Sequence, residues 1–99
     1  MTDNIFEVGD IVLALAGRDE KKLFAVIEII DGSYVFIADG KSRKTETPKK
    51  KKIKHIKLVK KAEADYIQGL NLKNGKFTNS VLRKMLGEYS DNIKKAPEN

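Results

Sequence analysis

The sequence predicts a small, mainly β domain, curled into a closed or half-closed barrel and followed by a C-terminal helical extension. Three observations carry that expectation. Short apolar runs rich in β-branched residues follow one another over residues 10–38, separated by Gly and Asp-Gly turns. Strands this short, joined by tight turns, cannot cover both faces of a flat sheet, so curling is the economical way to bury them. After Lys61 the texture changes to helix-compatible residues with an amphipathic spacing.

The elements follow in chain order. Residues 10–16, Asp-Ile-Val-Leu-Ala-Leu-Ala, read as a first strand that stops at Gly17-Arg18-Asp19. Residues 23–30, Leu-Phe-Ala-Val-Ile-Glu-Ile-Ile, read as a second, and Asp31-Gly32 behind it is the signal of a type I′ hairpin, whose two central residues need φ > 0. Residues 33–38 supply the return strand, closed by a second Asp-Gly at Asp39-Gly40. Residues 41–52 contain no apolar side chain apart from Pro48 and are expected as an exposed basic loop, with a last strand over Ile53, Ile56, Leu58 and Val59. The barrel domain is thus placed at 1–61, its strands within 6–60.

The extension is expected as a helical hairpin over 62–90. Its first helix lies in Ala62 to Gln68 and stops at Gly69, Asn74-Gly75 makes a turn, and Thr78 or Asn79 caps the second helix. Val81, Leu82, Met85, Leu86 and Tyr89 share one face of that helix, which should end near 87–89 and pack against the barrel or the preceding helix. Residues 91–99, with Pro97, are expected as a flexible tail.

With 99 residues the chain is long enough for one core and an appendage. It contains no Cys, which excludes disulfides, thiolate metal sites and cysteine nucleophiles, and fits a reducing compartment. A single His and the lack of a Gly-rich phosphate loop or nucleophile elbow leave catalysis poorly supplied. The expectation is therefore a protein that is not an enzyme and holds no cofactor or metal. The first residues carry acid rather than the basic region expected of a secretory signal, and no apolar run approaches the ~20 residues of a membrane helix. A soluble, cytoplasmic, monomeric protein without a membrane partner is expected.

The net charge of +6 hides a segregation. Residues 1–40 hold three bases against eight acids, residues 41–61 eleven bases against Glu46 alone, and residues 62–99 six bases against five acids. So local a concentration points to a binding face for a polyanion. Densely placed ammonium groups repel one another, and phosphates relieve that repulsion while releasing counterions. Lys41 to Lys57 is the expected main surface, with Arg18, Lys21 and Lys22 beside it. Lys supplies point charge without bidentate base readout, so sequence-specific recognition is not indicated. His55 either stacks on a nucleotide or is an ordinary half-exposed strand residue. Phe6, Phe24 and Phe36 are expected in the core, whereas Tyr34, next to a turn, is available for stacking on a base. Arg83 and Lys84 lie at the helix rim, where they can add a contact.

Glu7-Val8-Gly9-Asp10-Ile11-Val12, followed by Ala16-Gly17-Arg18-Asp19 and a hydrophobic strand, resembles the KOW motif of ribosomal and transcription-elongation proteins. Residues 34–40, then Arg43-Lys44, then Pro48 through Ile56, resemble the large-subunit ribosomal protein family of the L-fourteen-e kind and its short bacterial relatives. Gly75 through Ser80 with Arg83-Lys84 is similar to the helical extension of those relatives. The resemblance covers about residues 6–60. It implies an SH3-like barrel binding ribosomal or other structured RNA on the large ribosomal subunit. In it Gly17, Arg18 and Asp19 form the motif's turn, while Lys21, Lys22, Arg43, Lys44, Lys49, Lys50, Lys51, Lys52 and Lys54 meet phosphates. One departure stands out. The family's turn carries a Gly where this chain reads Asp19-Glu20-Lys21-Lys22, so either Lys21 adopts the glycine geometry or the turn differs.

The function expected from these readings is non-enzymatic binding of RNA through its phosphate backbone, with Lys41, Arg43, Lys44, His55 and Lys57 completing the surface. The alternative is an SH3-like protein-interaction module for an acidic or transcription/translation partner, under which changes to Leu82, Met85 and Leu86 would matter more if those side chains are exposed.

Overall fold

Five antiparallel strands form one sheet in a computed structural model that describes residues 6–70 and 72–95. The strands are β1 (Ile11–Ala14), β2 (Leu23–Ile29), β3 (Tyr34–Ala38), β4 (Lys49–Lys52) and β5 (Ile56–Lys60), in the spatial order β4-β3-β2-β1-β5. A 3₁₀ turn, Ile53–His55, joins β4 to β5. The last strand thus returns beside the first, the strand order of an SH3-like half-open barrel. Two helices follow, α1 (Ala64–Gln68) and α2 (Asn79–Lys95).

The pleat sends alternate residues to opposite faces, and both faces find cover. Phe6, Val12, Ala14, Phe24, Val26, Val35, Ile37 and Ile56 fill the barrel interior. Ile11, Ala25 and Ala38 point the other way and are covered by Val81, Leu82, Met85 and Leu86 of α2. The apolar face read from the helix spacing is therefore spent on the outside of the barrel. Thr78 Oγ1 accepts the Val81 amide at 3.2 Å, which makes Thr78 the N-cap. Asn79 instead ties the β3–β4 loop to the helix, its Oδ1 accepting the Thr45 amide at 2.8 Å and its Nδ2 donating to Glu46 at 2.9 Å.

That tie requires Gly40. Its φ is +79°, and a Cβ there would collide with the Asn79 carbonyl oxygen. At the start of β1 the fully buried Asp10 accepts the amides of Glu7 and Ala62, each at 2.8 Å, and Lys61 Nζ at 3.3 Å. The chain entering β1 and the chain leaving β5 are thereby stitched together. Tyr66 donates to Glu88 at 2.7 Å, linking α1 to α2, and burial together with that carboxylate pushes its phenol up to about 12.

Several expectations need correction. The expected basic loop 41–52 ends in a strand, because β4 pairs along β3 through its backbone whatever its side chains are. The Asp31-Gly32 turn is not type I′. Neither residue has positive φ, and Asp31 Oδ1 instead accepts the Ser33 and Tyr34 amides at 2.8 and 2.9 Å. Both φ values are positive at Asn74 (54°) and Gly75 (74°), where Lys73 and Lys76 form a bridge. The last strand starts only at Ile56, after the 3₁₀ turn.

The second helix does not end at 87–89. Gly87 lies on its exposed side with nothing within 4 Å, and no breaker follows before Pro97, so the helix runs to Lys95. Its partner α1 has only five residues, so the extension is one long helix with a short one before it. The expected tail is thus helical as far as 95, and residues 96–99 lie outside the described residues. Among the described residues no helix is long and apolar enough to cross a membrane.

Candidate nucleic-acid interface

The sequence presents Lys49–Lys52 as one cationic surface, and the pleat divides it. Lys49 and Lys51 stand opposite Ile37 and Val35, the inward residues of β3. Their stems lie over the core and their ammonium groups reach the β1–β2 turn. Lys51, only 8% exposed, donates to the Ala16 carbonyl at 3.2 Å, and Lys49 pairs with Asp19 Oδ2 at 3.1 Å. The hydrogen bond from Lys49 holds the Asp19 carboxyl below its ordinary value, with Lys22 and Lys51 adding to the effect. Lys49 and Lys51 are thus engaged with the β1–β2 turn, while the other two lysines of the strand are not.

Lys50 and Lys52 point outward, opposite Phe36 and Tyr34, and are exposed. Phe36, expected in the core, belongs to neither apolar cluster and is half-buried on this outer face. Lys50 Nζ sits 4.6 Å from the centroid of the Tyr34 ring. Lys54 extends the patch in the 3₁₀ turn, and a recess of about 420 Å³ opens between Tyr34, Lys52, Ile53 and Lys54. Among the described residues Lys50, Lys52 and Lys54 form no ion pair. Aromatic rings interleaved with unpaired cations are the composition of a surface that tracks a nucleic-acid strand.

A second grouping forms where α2 meets the barrel. Lys21, Lys22, Lys41 and Arg83 line an open cleft of about 860 Å³ floored by Leu23 and Leu86. Arg83 is held in place by donating to the Gly40 carbonyl at 2.7 Å. The cleft's acid, Asp39, is largely consumed. Burial would raise its carboxyl, yet the amides of Arg43 and Lys41 and the Ser42 hydroxyl outweigh that and hold it below the ordinary range. Tyr34 starts β3 and Asp39 follows its end, so the two groupings lie about 17 Å apart along the strand.

Lys21 resolves the choice left open at the turn. It adopts φ +72°, and its amide donates to the Ala14 carbonyl at 2.8 Å, so a lysine occupies the backbone geometry that favours Gly. Gly17, at φ +85°, and Arg18 are exposed in the same turn. Lys44 is exposed in the β3–β4 loop. Arg43 is half-buried there, and its carbonyl accepts the Asp39 and Gly40 amides. Glu46, the lone acid of the tract, is held below its ordinary value by the Asn79 amide.

His55 is half-buried in the 3₁₀ turn, where its carbonyl accepts the Leu15 amide at 2.9 Å. Lys57 is exposed on β5, at the other edge of the sheet from β4. It joins neither grouping. Leu82, Met85 and Leu86 are 0%, 2% and 8% exposed, so this apolar face is covered by the barrel and is not a docking surface. Among the described residues no group of three or more His, Asp or Glu side chains is placed to hold a metal ion. The chain matches no protein-family model and no curated protein.

Proposed function

We propose that this chain is a non-enzymatic nucleic-acid-binding module that docks on phosphate backbones. The particular reading is a KOW-type RNA-binding protein, a relative of the L-fourteen-e ribosomal family, that works in the cytoplasm on ribosomal RNA of the large subunit. The resemblance in residues 6–60 carries the choice of RNA. What supports backbone binding is the outward face of β4, where Lys50 and Lys52 lie beside Tyr34 and Phe36 with no carboxylate partner among the described residues. The Lys21, Lys22, Lys41 and Arg83 cleft gives a second place for phosphates. Binding of this kind releases counterions and weakens steeply with salt.

Sedimentation of a lysate through a sucrose gradient tests the reading. The protein is expected to travel with the large ribosomal subunit at low salt and to move toward the top at moderate salt. Residence at the top at both salts would rule out stable ribosome association.

A further inference from the structure

We propose that the recess beside Tyr34 takes one unpaired nucleobase of an RNA strand, with Lys50, Lys52 and Lys54 holding the adjoining phosphates. This rests on the RNA-binding reading above and adds to it the class of RNA: a single-stranded segment or loop.

The recess has the parts a base requires. The Tyr34 ring and the Ile53 side chain give apolar walls, and Gly32 leaves one side open, with nothing within 4 Å of where a Cβ would stand. Ser33, Lys52 and Lys54 place polar groups at the edges. Its frame is fixed before any ligand arrives. Asp31 Oδ1 holds the Ser33 and Tyr34 amides, and the Ile53 amide donates to the Ser33 carbonyl at 2.8 Å, so the β2–β3 turn and the 3₁₀ turn are bonded to each other. Among the described residues no acid lines the recess.

Charge and register single out the occupant. Lys50 and Lys52 stand two residues apart on one face of β4, about 7 Å along the strand. Successive phosphates of a flexible strand can reach both. The Lys50 ammonium now rests over the Tyr34 ring at 4.6 Å. Lys50 does not line the recess, so its ammonium stays beside the ring while a base stacks from the recess side, within reach of the adjoining phosphate. Bases in a duplex stay in their own stack and cannot enter the recess. An acidic peptide would satisfy the lysines yet leave the ring and the recess without a partner.

The test uses the full chain with a short single-stranded oligouridylate, a blunt RNA duplex and poly-glutamate as probes. The single strand is expected to bind about tenfold tighter than the duplex. Tyr34→Leu is expected to lose about tenfold for the single strand while its salt dependence stays the same, because no charge is removed. Tyr34→Phe guards against a folding defect. It should keep affinity within roughly twofold, since the stacking face remains.

The chain has three Tyr and no Trp, so its ultraviolet emission reports tyrosine. Emission should quench on binding in the wild type and quench less in Tyr34→Phe. Undiminished binding by a folded Tyr34→Leu, or equal binding of duplex and single strand without quenching, would overturn the base site and leave RNA binding standing. Failure to bind either RNA would overturn both readings, and binding of poly-glutamate alone would assign the lysines to an acidic protein partner.

Discussion

Lys49 and Lys51 differ from Lys50 and Lys52 in nothing but parity along one four-residue strand, and that difference separates lysines tied into the fold from lysines left at the surface. The inward pair extends over the core to Asp19 and the Ala16 carbonyl and closes the mouth of the barrel. The outward pair lies beside Tyr34 and Phe36 with no ion pair among the described residues. A count of charges treats the four alike. The period-two pleat decides which ammonium groups are left with an unbalanced field for a polyanion. β4 is also an edge strand, and lysines on such an edge discourage pairing with another chain.

The comparison breaks most sharply at Lys51. Lys51→Glu would bury a carboxylate facing the Ala16 carbonyl and close to Asp19, at a cost of about 3 kcal/mol. Thermal unfolding followed by circular dichroism should show a melting temperature lower by about 15 °C. Lys50→Glu, on the same strand, should stay within about 0.5 kcal/mol of the wild type. Equal losses at the two positions would sink the division.

Asp19→Asn gives a smaller effect with a pH signature. The folded carboxyl sits below its ordinary 3.8, so its ion pair contributes above that pH and the contribution fades as pH falls through the lower folded value. The variant should be less stable by about 1 kcal/mol at pH 7, discounted for partial exposure. Melting curves of the two proteins should converge below pH 3.8. A constant gap across that range would show that the ion pair is not the cause.

Lys21→Gly is the mildest change. Relief of the left-handed backbone outweighs the added freedom of the unfolded chain by roughly 0.5 kcal/mol, raising the melting temperature by about 3 °C. A lower melting temperature would mean that the Lys21 side chain contributes to the fold beyond its backbone.

Much of this architecture was legible in the residues. β1, β2 and β3 announced themselves because both their faces are buried, giving near-continuous apolar runs, and the face of α2 followed from 3.6-residue spacing. β4 was hidden. Its core-side positions are filled by lysine stems rather than apolar residues, so neither hydrophobic alternation nor a turn signal marks it. The cationic tract was readable as a candidate surface, but its division was not, because inward and outward positions in a run of identical residues depend on the register with β3.

The Lys21, Lys22, Lys41 and Arg83 cleft needs residues brought together from the β1–β2 turn, the β3–β4 loop and α2. No local spacing encodes that meeting. The Arg83 rim position and the left-handed Lys21 were the only local hints.

The central claim is that the outward lysines of β4 carry phosphate contacts. The most direct test is a titration of Lys50→Gln/Lys52→Gln and wild type with single-stranded RNA over a series of salt concentrations. Each lost contact should reduce the slope of log K against log salt by about 0.7 in magnitude, so the double variant should be shallower by about 1.4, with its melting temperature unchanged. A double variant that keeps the wild-type slope and affinity would contradict the account.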